Sequence, residues 1–149
     1  MNWRAEEYAK KGMAPDEAMF REMGRSAVWE IGYHEEELRK AETTLGAVKG
    51  LLSRCTFVDF TFEQMQKLQD EDADAEYDED EEAPPSAMAY LRHLVRDAIY
   101  HAQYHESALK EAHKKLAAFK SLAARLPEFE ISIKELQEEE KKAREKKHD

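Results

Sequence analysis

Apolar residues recur at alternating steps of three and four along the first third of the chain: Phe20, Gly24, Ala27, Ile31, His34, Leu38, Ala41, Leu45, Val48 and Leu52, with only a glycine and a histidine interrupting the series. The same rhythm returns at Leu91, Val95, Ala98, Ala102, His105, Leu109, Ala112, Leu116, Phe119 and Ala123. Such a seam is what two helices need to interlock side by side. Each predicts a helix about 55 Å long at 1.5 Å per residue. Gly24, Gly32, Gly46 and Gly50 fall inside the first seam, and each costs up to about 1 kcal/mol relative to alanine, so a kink near residues 46 to 50 is expected there.

Each seam is followed by a signal for a second, shorter helix. Thr61 with Gln64 and Ser132 with Glu135 are S/T-x-x-E/Q capping boxes, flanked by the hydrophobic staple pairs Phe60 with Met65 and Ile131 with Leu136. Phe62, Met65 and Leu68 in the first short helix, and Ile133 and Leu136 in the second, supply about two turns of apolar face. The rest of the last helix, "ELQEEEKKAREKKHD", is charged, pairs Glu138 with Lys142 and Glu140 with Arg144 at i, i+4 spacing, and is expected to stand in water. "NWRAEEYAKKG" reads as a short amphipathic helix capped by Asn2, closed by Gly12 and offering Trp3 and Tyr8 to the core. Pro84, Pro85 and Ser86 start the second long helix.

The two seams belong to a repeat. Residues 20–54 and 91–125 align without a gap at an offset of 71, with thirteen identities in thirty-five positions, where composition alone gives about two or three. The identities include Arg21/Arg92, Arg25/Arg96, Tyr33/Tyr104, His34/His105, Leu38/Leu109 and Lys49/Lys120. The expected fold is all-α: a tandem duplication of a long-helix/short-helix hairpin forming a four-helix bundle or an antiparallel coiled-coil-like domain, with a short N-terminal helix. Residues 1–149 form one domain, divided into an N-terminal segment (1–13), repeat 1 (14–69), an acidic linker (70–85) and repeat 2 (86–149).

Charge changes this picture less than its total suggests. Of 33 acidic residues, ten lie in "DEDADAEYDEDEE" at positions 70–82, which leaves 23 against 23 basic residues and no net charge elsewhere. The run is a solvated linker first, and an inhibitor-like or chaperone-like element for a basic partner site as an alternative. It has no glycine and so no calcium-loop spacing. Basic residues are dispersed and no phosphate-binding glycine loop occurs, so direct nucleic-acid binding is not expected. The single cysteine, Cys55, excludes a disulfide framework, and no apolar run is long enough for a membrane span; a cytoplasmic setting is expected.

Two sets of residues carry the candidate chemistry. On the flank opposite the seams, Trp29, Tyr33, Tyr100 and Tyr104, widened by Val28 and Ile99, predict a contact face for a second copy of the chain, a dimer first, or for another protein. This points to a non-enzymatic helical interaction protein without a cofactor. Glu30, His34, His101 and His105 form the alternative, a site for a transition-metal ion such as zinc or iron, because His101 and His105 share one helix face. Antiparallel pairing, however, sets His105 near Leu38 and His34 near Leu109, in adjacent layers. Neither H-E-x-x-H nor a repeated Glu-x-x-His is present.

Overall fold

In a computed structural model of the chain, residues 5–71 and 86–147 are described. Among them all regular structure is helical: α1 (Ala5–Lys10), α2 (Pro15–Ser53), α3 (Phe62–Glu71), α4 (Ala87–Arg125) and α5 (Ile133–Lys147), with a 3₁₀ turn at Pro127–Phe129. Asn2, Trp3 and most of the acidic run lie outside the described residues.

The helix ends follow the local chemistry. At α3, Thr61 N–H donates to Gln64 Oε1 (2.9 Å) and Gln64 N–H donates to Thr61 Oγ1 (3.1 Å), a complete capping box. At α5 only the Glu135 N–H to Ser132 Oγ half is made, at 3.4 Å. Ser86 caps α4 by accepting from Ala89 N–H at 3.1 Å. After α1, Gly12 takes a left-handed φ of 77°. That lets Met13 N–H reach the Tyr8 carbonyl (3.1 Å) and Gly12 N–H the Ala9 carbonyl (3.0 Å), the two bonds of a Schellman turn. The glycines near 46–50 do not interrupt the helix: α2 continues through Gly46 and Gly50, where a Cβ would meet nothing within 4 Å. With solvent on that side no neighbour pushes the helix apart, and intrahelical bonding prevails.

The chain packs as two compact units, residues 1–34 with 108–149 and residues 35–107. In the first, the N-terminal half of α2 and the C-terminal half of α4 run antiparallel, with Phe20 against Phe119 and Glu30 against Lys115. Helix α5 covers this pair. Its core holds Phe20, Ala27, Val28, Leu116, Phe119 and Leu136, bordered by Ile31, Ala123, Leu126, Phe129, Ile131 and Ile133. Leu136 is wholly buried, a contribution of about 1.5–3 kcal/mol. In the second unit, the N-terminal half of α4 packs with the C-terminal half of α2 under α3. Its core holds Leu52, Phe60, Met65, Leu91, Val95 and Ile99, bordered by Leu45, Val48, Cys55, Val58, Phe62, Met88 and Leu94.

The two cores are built from corresponding positions. Shifted by 71, Phe20, Val28, Phe60, Phe62 and Met65 become Leu91, Ile99, Ile131, Ile133 and Leu136. One pair of positions exchanges bulk. Gly24 with Phe119 in the first unit corresponds to Val95 with Val48 in the second. Phe119 fills the volume that a side chain at Gly24 would need: a Cβ there would lie 2.5 Å from Phe119 Cζ and 2.6 Å from Leu136 Cδ1.

Candidate functional site

The aromatic residues divide into a buried and an exposed set. Val28 (8% exposed) and Ile99 (1%) do not widen the aromatic face. They belong to the two cores, where α5 and α3 cover them. The short helices have fewer apolar residues than the long ones, but Leu136 and Met65 stand where the long helices need them. Trp29 (41%), Tyr33 (39%) and Tyr104 (53%) are exposed, and Tyr100 is half-buried. In the first unit Trp29 and Tyr33 stack at 5.0 Å between centroids and 9° between planes. In the second, Tyr100 and Tyr104 stack at 6.3 Å and 21°. The i, i+4 spacing brings each pair together on one helix face, and each second tyrosine sets its edge region against the following histidine, Tyr33 on His34 and Tyr104 on His105, both at 5.0 Å.

The proposed metal residues are engaged elsewhere. Glu30 accepts from Lys115 Nζ at 3.2 Å. His101 Nε2 lies 3.1 Å from Asp97 Oδ1, one turn earlier on the same helix. His101 and His105 line a cleft of about 280 Å³ in the second unit, with Asp97, Glu37, Lys40 and Thr44. Among the described residues no three His, Cys, Asp or Glu side chains are arranged to hold a metal ion. Glu30 and His34 belong to the first unit, His101 and His105 to the second.

A polar cluster that periodicity does not reveal lies in the first unit. Tyr8 and Glu22 are both buried, and the Tyr8 hydroxyl donates to Glu22 Oε2 at 2.8 Å. Burial, then this bond to a carboxylate, pushes the Tyr8 phenol above its ordinary range. Arg21 pairs with Glu139 of α5, and Arg25 Nε lies 3.8 Å from Glu139 Oε2. Burial works against the Arg25 charge, but Tyr8, Glu22 and Glu139 outweigh it and hold the guanidinium above its usual range. The charged half of α5 therefore stands only partly in water: Glu140 is buried and Glu139 and Arg144 are half-buried, while Glu138, Lys141, Lys142 and Glu145 are exposed. It docks on α2 through Glu139 and through Arg144, whose Nη2 donates to the Trp29 carbonyl at 3.0 Å beside Glu140 (3.7 Å). Gly32 makes room for that guanidinium: a Cβ at this position would strike Arg144.

Of the acidic run, only Asp70 and Glu71 are described; Asp70 accepts from Gln103 at 2.7 Å. No described helix is long and apolar enough to cross a membrane. The chain matches no model of a known protein family, no curated protein and no solved structure.

Proposed function

We propose that this chain is a non-enzymatic helical assembly protein, derived by tandem duplication of a long-helix/short-helix hairpin, that associates with a second copy of itself through the aromatic faces of its two units. The observation that carries this reading is the pair of aromatic stacks, Trp29 on Tyr33 and Tyr100 on Tyr104, in which Trp29, Tyr33 and Tyr104 are exposed, at positions related by the offset of 71 on the two long helices. Stacked rings are rigid, so little conformational freedom is lost when they are covered, and aromatic side chains are enriched where proteins meet. The duplication is supported by the correspondence of the two cores at an offset of 71. It also accounts for two similar faces on one chain.

The test is the mass of the purified protein in solution by multi-angle light scattering after size exclusion. At concentrations well above about 1 µM, where an interface of about 8 kcal/mol is populated, a dimer is expected. Tyr33→Ala combined with Tyr104→Ala should return the monomer without lowering the melting temperature, because both side chains are exposed. A monomeric wild type, or a double variant that remains dimeric, refutes self-association through these faces.

A further inference from the structure

Beside α1 the first unit has a second surface of a different character. Tyr8, Lys11 and Met13 from the N-terminal segment, Arg21 and Arg25 from α2, and Glu139, Lys142 and Ala143 from α5 line a cleft of about 470 Å³. We propose that this cleft binds a small molecule carrying a phosphate group.

Charge is the first argument. Lys11, Arg21, Arg25 and Lys142 stand against Glu139 on the wall and Glu22 behind Tyr8, so four cations meet two carboxylates and two positive charges remain. They remain on a chain whose net charge is -10. An excess of two matches a phosphate monoester dianion better than a single carboxylate, and two guanidiniums one helical turn apart suit its several oxygens. Tyr8 does not erode the excess, since its hydroxyl is committed to Glu22.

One donor at the cleft is also unmet. Arg25 Nε is buried and has no hydrogen-bond partner. The Glu139 Oε2 beside it is 3.8 Å away, beyond hydrogen-bond reach. A buried donor left unmade is costly, and native proteins satisfy nearly all of them. Arg25 also borders the cleft, where an oxyanion can accept from the other N–H groups of its guanidinium.

Size and wall also suit a small molecule. The volume falls within the range of small-molecule sites, about 300–1,000 Å³, and exceeds what a bare anion needs. The Tyr8 ring, Met13 and Ala143 give one part of the wall an apolar surface for the remainder of the ligand. Nor does the repeat explain the cleft. Arg92 and Arg96 reproduce the arginine pair, but the positions of Glu139 and Lys142 become Leu68 and Glu71, and Arg92 turns to Asp59 at 2.8 Å. The first unit has been given cations that its counterpart does not carry.

Titration calorimetry of the full chain at low ionic strength, with inorganic phosphate, pyrophosphate and phenyl phosphate as probes, tests the site. Saturable one-to-one binding that weakens with added salt is expected, with phenyl phosphate the tighter of the two monophosphates. Lys142→Gln, an exposed position, should weaken it at least about tenfold, as should Arg25→Gln where circular dichroism shows that variant folded. Glu139→Gln should tighten it, because it releases both guanidiniums from their internal competitor. Lys120→Gln, exposed on α4 and outside the cleft, should leave it unchanged. Absence of saturation by all three probes up to about 10 mM, indifference to Lys142→Gln, or weakening by Glu139→Gln overturns the proposal. Equal affinity for inorganic and phenyl phosphate overturns the assignment to a phosphorylated molecule in favour of free phosphate.

Discussion

Exchanging bulk between Gly24 and Phe119 tests how the first core is filled. Gly24→Val alone adds three carbons where a single Cβ would already lie 2.5 Å from the Phe119 ring and 2.6 Å from Leu136. Both neighbours are closed in, Phe119 at 5% exposure and Leu136 at 0%. Overpacking of this kind costs about 1–3 kcal/mol, against a helix-propensity gain of about 0.4 kcal/mol for valine over glycine. Phe119→Val alone empties volume and costs about 2–3 kcal/mol, below the 3–5 kcal/mol of a full Phe→Ala truncation. The double variant places valine at both positions, the combination that the second unit uses at Val95 and Val48. The added side chain then occupies the emptied space, so the combined cost should fall short of the sum by about 2 kcal/mol, within the range for residues that share a volume. Urea unfolding followed by helical circular dichroism gives all four free energies. Agreement of the double variant with the sum of the singles to within about 0.5 kcal/mol would refute the shared volume, and with it the correspondence of the two cores at this layer.

Two further outcomes follow from the first half of the chain. Gly46→Ala and Gly50→Ala, where a Cβ meets only solvent, should each raise stability by about 0.5–1 kcal/mol in the same urea assay; a loss at either would place a break in α2. Tyr8→Phe strips the buried Glu22 of its donor and should cost about 1–3 kcal/mol near neutral pH. Because the folded phenol's pKa is raised, the unfolded phenol ionises first, so its contribution is intact below about pH 10 and is lost as pH rises through the folded value. The stability gap between wild type and Tyr8→Phe should therefore narrow above about pH 10, and a gap that widens there would refute the assignment.

Features decided within a few residues could be read directly. The capping box at Thr61, the cap at Ser86, the left-handed Gly12 and the staple partners Phe60 with Met65 all depend on neighbours at most five positions away. The helical seams predicted the buried Phe20, Ala27, Leu116 and Phe119 for the same reason. What escaped is long-range. Arg21 meets Glu139 across 118 positions and Arg144 meets the Trp29 carbonyl across 115, and no periodicity encodes such pairs. The four glycines of α2 look alike in sequence, yet Gly24 and Gly32 are places of close approach while Gly46 and Gly50 face solvent. Val28 and Ile99 were misplaced on the outer face because their burial depends on α5 and α3 returning along the long helices. The aromatic stacks were foreseeable from i, i+4 spacing, whereas the basic cleft draws on three segments, none of which is conspicuously basic.

The composition of the cores bears on how such a chain could have arisen. Each long helix gives its first half to one unit and its second half to the other. Phe20, Ala27 and Val28 of the first repeat pack with Leu116, Phe119 and Leu136 of the second, while Leu91, Val95 and Ile99 of the second pack with Leu52, Phe60 and Met65 of the first. Neither repeat therefore contains both sides of either core. On the duplication reading, a single ancestral hairpin would have left its long-helix N-terminal half without a cover, and only a second hairpin could supply the C-terminal half and short helix that complete it. The ancestor was in that case an obligate homodimer with two identical cores, as a twofold arrangement requires. On the same reading, fusion into one chain would have removed the concentration dependence of that pairing. It would also have released the two cores from identity, so that one could hold Val95 with Val48 and the other Phe119 against Gly24, and so that α1, Lys11 and Lys142 could build a charged cleft on one unit alone.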